Sequence, residues 1–309
     1  MPIVLDNGAA SNSEPPMYYH PLGTEESFGG YGDIEVIDSH QHFWQFDPVR
    51  DSWINDDMRV IQKDFLPENL YPLLQQNGVS GTVIVQSDQS EEENAFQLAN
   101  AASADFVKGV VGWVDLQAEH VEERLQYYSG FAKMKGFRHV LQGETNRALM
   151  LKPAFKRGIS LLEQYGFTYD ILIFPDQLGY SLELVKAFPN QRFVIDHVAK
   201  PGIKIGHIAD WQKAIHDIAQ CENVYCKISG IVTEADWRLW KKEDLLPYID
   251  AVVEAFGTKR IMFGSDWPVC LVAASYKQWI DLLKAYFASF TTNEQADFFG
   301  CNATRFYHL

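Results

Sequence analysis

The feature that most constrains the fold of this chain is a repeated alternation of short apolar runs with longer amphipathic stretches. The runs are rich in β-branched and aromatic residues, which predicts strands. They cover Ile34–Asp38, Gly81–Gln86, Val107–Val114, Met134–Arg138, Thr168–Phe174, Arg192–His197, Val224–Ser229 and Arg260–Ser265. The stretches between them place apolar residues at i, i+3, i+4 and i+7, which predicts helices. They cover Glu92–Ala104, Ala118–Phe131, Leu149–Tyr165, Leu182–Phe188, Ile208–Gln220, Leu245–Phe256 and Tyr276–Phe287.

Eight strands that alternate with helices predict a parallel (β/α)8 barrel, the TIM barrel of the α/β class. An open doubly wound sheet is the alternative, but no G-x-G-x-x-G motif opens a helix after the first strand. We assign residues 34–309 to a single barrel domain. Residues 1–33 are polar and rich in Gly, Pro and Ser, which predicts a loosely structured N-terminal arm.

The composition excludes several classes of function. Of the 309 residues, 47% are hydrophobic and 22% are charged, which is typical of a globular protein. A formal net charge of -15 leaves no basic surface for nucleic acid or anionic lipid. The 4 cysteines lack the spacing of a disulfide framework or a zinc ribbon, which favours a reducing compartment. Without a secretory signal or a membrane-spanning apolar run, a cytoplasmic protein is expected.

Catalytic groups of a TIM barrel lie at the carboxyl ends of its strands. The first predicted strand is followed by His40 and His42, whose spacing directs both imidazoles to one face. The sixth strand ends in His197, and the eighth is followed by Asp266. Three imidazoles and a carboxylate at one rim indicate an enzyme. They can hold a divalent metal such as zinc, or donate hydrogen bonds to a substrate carbonyl.

Other side chains at the same rim are candidates for binding a substrate. Arg138 is the only arginine at a predicted strand end, where it can bind substrate oxygens or form a structural ion pair. A single arginine suits a neutral polyol better than a dicarboxylate. An amide, three tryptophans and a lysine suit a sugar ring, namely Gln86, Trp44, Trp113, Trp267 and Lys200. Each tryptophan also fits a place in the core, and Lys200 also fits the capping of a loop.

Six segments of the chain resemble segments of the amidohydrolase superfamily and occur in the same order. They are DSHQHFW (Asp38–Trp44), KGFRHVLQ (Lys135–Gln142), FVIDHVAKP (Phe193–Pro201), YCKISGIVTEADW (Tyr225–Trp237), FGSDWPVC (Phe263–Cys270) and GCNATRFY (Gly300–Tyr307). Within the superfamily, the chain is most similar to the amidohydrolase-related group (amidohydrolase 2). That group includes lactonases that act on L-fuconolactone and L-rhamnonolactone. The resemblance implies a barrel with its site at the carboxyl rim.

The resemblance also implies an activity, a lactonase that opens a sugar-derived aldonolactone to its acid in carbohydrate catabolism. His40, His42, His197 and Asp266 would form the catalytic cluster, with Asp266 as the base that activates water. The chain departs from many superfamily members, since no lysine ends its fourth or fifth predicted strand. A two-metal site is therefore not expected. The cluster would hold at most one divalent metal, with zinc the expected ion, and a reaction without metal is also open.

Several alternatives to this interpretation stay open. The same scaffold serves metal-dependent decarboxylases and amidases, and a barrel without activity could simply bind a sugar. No G-x-S-x-G motif is present, which disfavours a serine esterase. Cys270 is assigned to packing rather than to thiol catalysis.

The sequence also predicts the protonation state of the proposed base, Asp266, and the kind of partner that the chain binds. A carboxylate is a weak base at neutral pH unless burial raises its pKa, and the apolar neighbours Phe263 and Trp267 predict such a rise for Asp266. The expected partner is a small sugar lactone. The sequence is also compatible with a homo-oligomer.

Overall fold

The computed structural model describes residues 34–309, so the arm predicted for residues 1–33 lies outside the described residues. Eight parallel strands form one sheet in which each strand pairs with the next along the chain. In chain order they are β1 (Ile37–Gln41), β2 (Gly81–Val85), β3 (Val107–Gly112), β4 (Met134–His139), β5 (Thr168–Ile171), β6 (Phe193–Ile195), β7 (Val224–Ile228) and β8 (Ile261–Phe263). All eight predicted strands are therefore present.

The sheet closes between its first and last strands. Gln41 forms a parallel bridge with Trp267. The amides of His42 and Asp266 donate hydrogen bonds to the carbonyls of Trp267 and His40, at 2.7 and 2.8 Å. Closure confirms the predicted barrel and excludes the open sheet. It also joins segments that are far apart in sequence, since 224 positions separate His42 from Asp266.

Some strands end earlier than predicted, and the reason lies in the backbone that follows them. β6 ends at Ile195 and β8 at Phe263. His197 and Asp266 come shortly afterwards with φ of 53° and 56°. A residue in the left-handed region cannot continue a parallel ladder. β1, in contrast, extends beyond the predicted bound, so that His40 lies within the strand.

Helices surround the barrel. In the described part of the chain, the α-helices are α1 (Pro67–Asn77), α2 (Glu91–Ser103), α3 (Val121–Tyr128), α4 (Pro153–Gln164), α5 (Leu178–Ala187), α6 (Ala209–Ala219), α7 (Ile231–Glu234), α8 (Lys242–Phe256), α9 (Tyr276–Phe287), α10 (Thr292–Ala296) and α11 (Asn302–Tyr307). The unpredicted α1 contains Pro72 yet stays helical, and it buries Leu70 and Leu74. Across residues 34–309, no helix combines the length and apolar character needed to cross a membrane.

The interior of the barrel is filled in layers. At the amino-terminal end lies an apolar layer, which α11 covers with Phe306 and Tyr307; its strand residues are Ile37, Val83, Val85, Val111, Val194 and Met262. One pleat further along the strands lies a second set of inward side chains, which we call the charged layer. It consists of Arg138, Asp170, Asp196 and Lys227, all at most 4% exposed. The predicted histidines and Asp266 lie at the carboxyl end beyond this layer, whereas the predicted Arg138 belongs to the layer itself.

Candidate active site

The end of β1 and the residue that follows it bring His40 and His42 together at the carboxyl rim. Both side chains are buried, and their Nε2 atoms lie 3.2 Å apart. The register of β1 against β2 shifts between Asp38 and Gln41. The Nδ1 atom of His42 lies 2.7 Å from the carbonyl oxygen of Val85, which anchors this imidazole to the neighbouring strand. The two histidines therefore converge on one point, as their spacing predicts.

Asp266 reaches the same point from the other side of the barrel closure. Its left-handed backbone is held by the hydrogen bond from its amide to the His40 carbonyl. The Oδ1 atom of Asp266 lies 3.2 Å from His42 Nε2 and 3.9 Å from His40 Nε2. It also lies 3.8 Å from His197 Nε2. The carboxylate thus stands among three imidazoles.

His197 enters the site through a left-handed turn. Residues 197–200 all have φ between 49° and 60°, a conformation that costs non-glycine residues about 1–2 kcal/mol each. The turn directs the His197 ring inward, where its Nδ1 lies 2.9 Å from Ser229 Oγ. Gly230 makes room for the ring, since a Cβ at that position would lie 2.4 Å from His197 Nδ1.

The hydrogen bonds around the histidines indicate where their protons lie. The carbonyl of Val85 can only accept, so His42 carries its proton on Nδ1 and keeps a lone pair on Nε2. Arg138 Nη1, which can only donate, lies 3.4 Å from His40 Nε2, and that nitrogen also lies 3.2 Å from His42 Nε2. The Nδ1 of His40 faces Asp196 Oδ1 at 3.3 Å.

These side chains make the cluster suitable for a cation. Ring nitrogens of His40 and His42 face the Asp266 carboxylate, and such a donor set matches divalent zinc. The ligand atoms of His40, His42 and Asp266 all lie within 4.8 Å of one another. His40 also forms a group of this kind with Asp196 and His197.

Burial and neighbouring charge set the protonation states of the site. Burial acts to raise the pKa of Asp266, but interactions with the imidazoles of His197 and His42 outweigh it and hold the pKa below its usual value. The predicted rise is therefore wrong, because the sequence shows the apolar neighbours but not the imidazoles. Burial lowers the pKa of His40 well below its ordinary value despite the nearby Asp196. Burial likewise lowers the pKa of His197 despite Asp266.

Of the candidate substrate-binding residues, Arg138 lies directly beside His40, and Gln86 pairs with Arg138. Arg138 Nη2 donates to the Gln86 carbonyl, and Gln86 Nε2 donates to the Arg138 carbonyl at 3.1 Å. Among the described residues, Gln86 Oε1 is a buried acceptor with no hydrogen-bond partner. Trp113 is partly exposed, and its indole N–H donates to His139 Nδ1 at 3.3 Å. An acceptor and an aromatic face are thus available at this side of the rim.

The other candidates lie in different surroundings. Trp44 and Trp267 are each 1% exposed, and both pack against Phe65, with ring centroids 5.7 and 5.1 Å away. The structure therefore places these two tryptophans in the core. Lys200 is partly exposed and forms an ion pair with Glu234 at 3.2 Å.

Three buried charged residues near the site, Asp38, Asp196 and Lys227, are not among the predicted site residues. Asp196 pairs with His40, and Lys227 contacts both of them from below. Asp38 accepts hydrogen bonds from the amides of His40 and Ser265, at 3.2 and 2.8 Å, and so ties β1 to the loop after β8. Burial raises the pKa of Asp38 to about 6 despite hydrogen bonds from Ser265. The sequence signal for the two aspartates is their position just before the histidines, since Asp196 directly precedes His197 and Asp38 lies two positions before His40.

Comparisons with known proteins cover the whole barrel. The profile of the Amidohydrolase family matches residues 37–309. The chain is 37% identical over 284 residues to an L-fucono-1,5-lactonase of Burkholderia multivorans, which covers 88% of this chain and 96% of that enzyme. It is 35% identical over 280 residues to an L-fucono-1,5-lactonase of Burkholderia ambifaria, which covers 88% of this chain and 95% of that enzyme.

A solved structure extends the similarity to three dimensions. It is the crystal structure of an amidohydrolase from Burkholderia multivorans with bound zinc. It matches this chain with a TM-score of 0.86 at 37% sequence identity and covers 89% of this chain and 99% of that one.

Proposed function

We propose that this chain, which belongs to the Amidohydrolase family, hydrolyses the ring ester of a sugar-derived lactone to the open-chain acid. The observation that carries the proposal is the ionised Asp266 carboxylate among three imidazoles at the carboxyl rim. The relatives from the two Burkholderia species are L-fucono-1,5-lactonases. They support an aldono-1,5-lactone of a deoxy sugar as the substrate class.

Asp266 is the base in this mechanism. Ester hydrolysis requires water to lose a proton as its oxygen attacks the carbonyl carbon. The low pKa of Asp266 keeps the carboxylate ionised at neutral pH, and its burial shields it from bulk solvent. After the attack, the same carboxyl group returns the proton to the ring oxygen as the carbon–oxygen bond breaks. One water is consumed, and one carboxylic acid and one hydroxyl group are formed.

The cluster also fits one divalent metal, and we propose zinc. His40, His42 and Asp266 would supply three ligands, with His197 as a fourth, since its Nε2 lies 3.8 Å from Asp266 Oδ1. The similar crystal structure from Burkholderia multivorans contains bound zinc. Zinc would supply Lewis-acid polarisation of the lactone carbonyl.

The remaining rim residues are proposed to position the sugar. Gln86 Oε1 is unpartnered within the described residues and can accept a hydrogen bond from a substrate hydroxyl. Arg138 directs an N–H group toward His40 and the reacting carbonyl. Trp113 offers an aromatic face to the C–H surface of the ring. Lys200 lies at the same rim, where it forms an ion pair with Glu234.

The rival functions receive less support. Neither a decarboxylase nor an amidase is favoured by relatives that are lactonases. A silent sugar-binding barrel would not require an ionised carboxylate among imidazoles. Thiol catalysis by Cys270 is disfavoured because burial raises the pKa of that thiol well above its ordinary value.

A panel of aldonolactones tests the proposal. Proton release from L-fucono-1,5-lactone, L-rhamnonolactone and their stereoisomers would be followed at constant pH with the purified chain, with and without added zinc. We expect rapid turnover of at least one deoxy-sugar lactone. Folded protein that turns over no lactone under either condition would show that the proposal is wrong.

A further inference from the structure

The charged layer beneath the site contains a lysine that the mechanism above does not use. Lys227 points into the barrel from β7 and is fully buried. Its Nζ atom lies 2.5 Å from Asp170 Oδ2 and 3.1 Å from Asp196 Oδ1. It also lies 3.3 Å from His40 Nδ1. One ammonium group is therefore surrounded by two carboxylates and a histidine of the site.

The contacts of His40 admit two positions for its ring proton, on Nδ1 toward Asp196 or on Nε2 toward the Nε2 atom of His42, which lies 3.2 Å away. The Nδ1 of His40 has two neighbours at 3.3 Å, the Asp196 carboxylate and the Lys227 ammonium. An ammonium can only donate, so a hydrogen bond from Lys227 would require the His40 proton to move to Nε2. Arg138 already directs a donor to Nε2, at 3.4 Å. A donor at Nε2 and a carboxylate at Nδ1 both favour the position on Nδ1, where the proton points to Asp196.

Asp196 can accept that proton only if its carboxylate is held in place and kept charged. Arg138 Nη1 donates to its Oδ2 at 3.0 Å, while Lys227 lies beside the Oδ1 that faces His40. A cation at each oxygen fixes the plane of the carboxylate and favours its ionised form. Lys227 thus lies beside the oxygen that faces Nδ1 of His40.

We propose that Lys227 is a positioning residue for the reaction. Its ammonium group holds Asp196 against Nδ1 of His40, so that the Nε2 lone pair of His40 is presented to Asp266 and to the reacting carbonyl. The role of this lone pair in catalysis rests on the proposed lactonase function. The placement of the His40 proton does not.

Lys227 is itself held from the amino-terminal end of the barrel. The hydroxyl of Tyr307 in α11 donates to Asp170 Oδ2 at 2.8 Å. The Tyr307 ring lies 5.4 Å from Lys227 Nζ. The chain of contacts from Tyr307 through Asp170 and Lys227 reaches His40 across the whole interior. Removal of the Tyr307 hydroxyl should therefore change the position of the His40 proton.

The charged layer contains two positive and two negative side chains, so a variant that tests Lys227 should remove one charge of each sign. Arg138 and Lys227 are positive, and Asp170 and Asp196 are negative. Lys227→Met alone would leave two buried carboxylates for one cation. The double variant Lys227→Met/Asp170→Asn removes one charge of each sign and keeps the layer neutral. Lys156→Met is the matched control, since it breaks a solvent-exposed lysine–glutamate pair with Glu183.

The first measurement is the position of the His40 proton. Two-bond 1H–15N spectra of protein labelled at histidine, with the His40 signal assigned by its loss in His40→Asn, report the tautomer directly. We expect the Nδ1–H form in the wild type and in Lys156→Met, with or without zinc. We expect a mixture with the Nε2–H form in the double variant, and a smaller shift in the same direction in Tyr307→Phe.

The second measurement separates kcat from KM for the lactone that the wild type turns over. Removing a group that orients a catalytic or ligand histidine typically costs about 10–100-fold in activity. We expect kcat of the double variant to fall by about that factor, with KM within about 2-fold, because the layer does not touch the sugar. Lys156→Met should keep the wild-type values.

The outcomes separate this proposal from the lactonase proposal. An Nε2–H His40 in the wild type overturns the role of Lys227, whether or not the double variant folds. A folded double variant with wild-type kcat and an unchanged tautomer overturns it as well. A wild type that turns over no lactone but shows the expected tautomers contradicts the substrate and leaves the positioning of His40 supported.

Discussion

At the scale of single residues, the position of protons decides what the site can do. Asp266 is ionised because imidazoles outweigh its burial, and His40 and His197 are neutral because burial outweighs their carboxylate neighbours. A carboxylate beside neutral imidazoles can accept a proton from water and can also hold a cation. Both properties follow from side chains that the fold buries together.

Replacement of Asp266 by asparagine tests the base. Asp266→Asn keeps the size and shape of the side chain but removes the proton acceptor. We expect kcat to fall by about 10²–10⁴-fold, the range for loss of a general base. Binding of the aldonic acid product, measured by calorimetry, should persist. An asparagine variant that retains wild-type kcat would exclude Asp266 as the base.

A methyl group at position 230 tests the placement of His197. Gly230→Ala would put a Cβ 2.4 Å from His197 Nδ1 at a backbone φ of +61°. We expect a loss of stability of about 1 kcal/mol from the left-handed alanine and a loss of activity of at least tenfold from displacement of the ring.

Gly166→Ala provides the matched control for this change. Gly166 has a φ of +76° and no atom within 4 Å of the added Cβ. It should show a similar decrease in melting temperature with full activity. Equal activity in the two variants would mean that the His197 ring tolerates displacement.

At the scale of elements, the loops after the strands are held by the helices that follow them. Glu93, in the first turn of α2, accepts hydrogen bonds from the amide and the hydroxyl of Ser87, both at 3.1 Å. It also accepts one from Gln97 at 2.8 Å. Ser87 follows Gln86, so α2 fixes the loop that carries a proposed substrate-binding amide. The carboxyl group of Glu93 is buried in this arrangement.

The burial of Glu93 predicts a pH dependence of stability. Burial raises the pKa of Glu93, even though hydrogen bonds from Gln97 and Ser87 oppose the rise. Because the folded pKa lies above the unfolded one, the stabilising contribution of the protonated form is complete below the unfolded pKa. It is lost as the pH rises through the folded pKa.

Glu93→Gln tests this dependence, since the amide oxygen can still accept all three hydrogen bonds. We expect the free energy of unfolding of the variant, relative to wild type, to increase between pH 4 and pH 8. Denaturant unfolding at a series of pH values measures it. Glu294→Gln should show the opposite trend, because hydrogen bonds from Thr291 lower the pKa of that carboxyl group. A difference for Glu93→Gln that is independent of pH would contradict the prediction.

At the scale of the whole molecule, the site exists only in the closed barrel. His42, directly after β1, and Asp266, after β8, are separated by 224 positions, and the hydrogen bonds of the closure bring their side chains within 3.2 Å of each other. An ion bound between them would link the two ends of the sheet. Binding of that kind is specific to the folded state and stabilises it.

Zinc binding should therefore raise the stability of the entire barrel. We expect about one zinc per chain by elemental analysis and an increase of about 2.7 kcal/mol in the free energy of unfolding at a zinc concentration of about 100 Kd. His42→Ala should abolish this increase. His216→Ala, on the exposed face of α6, should leave it unchanged. An equal effect of zinc on both variants would place the ion elsewhere.

Local patterns in the sequence determined the architecture and the members of the cluster. Each strand and most of the barrel helices can be predicted from short segments, because hydrophobic periodicity and side-chain branching act within a few residues. His40, His42, His197 and Asp266 were recognisable from their positions at predicted strand ends. Only the tertiary structure decided their protonation, the burial of Trp44 and Trp267, and the ion pairs of Lys227. Those properties depend on distances between residues that the barrel brings together from separate strands, and electrostatic energies change with such distances and with burial. Neither these distances nor the burial of each side chain can be read from the order of residues along the chain.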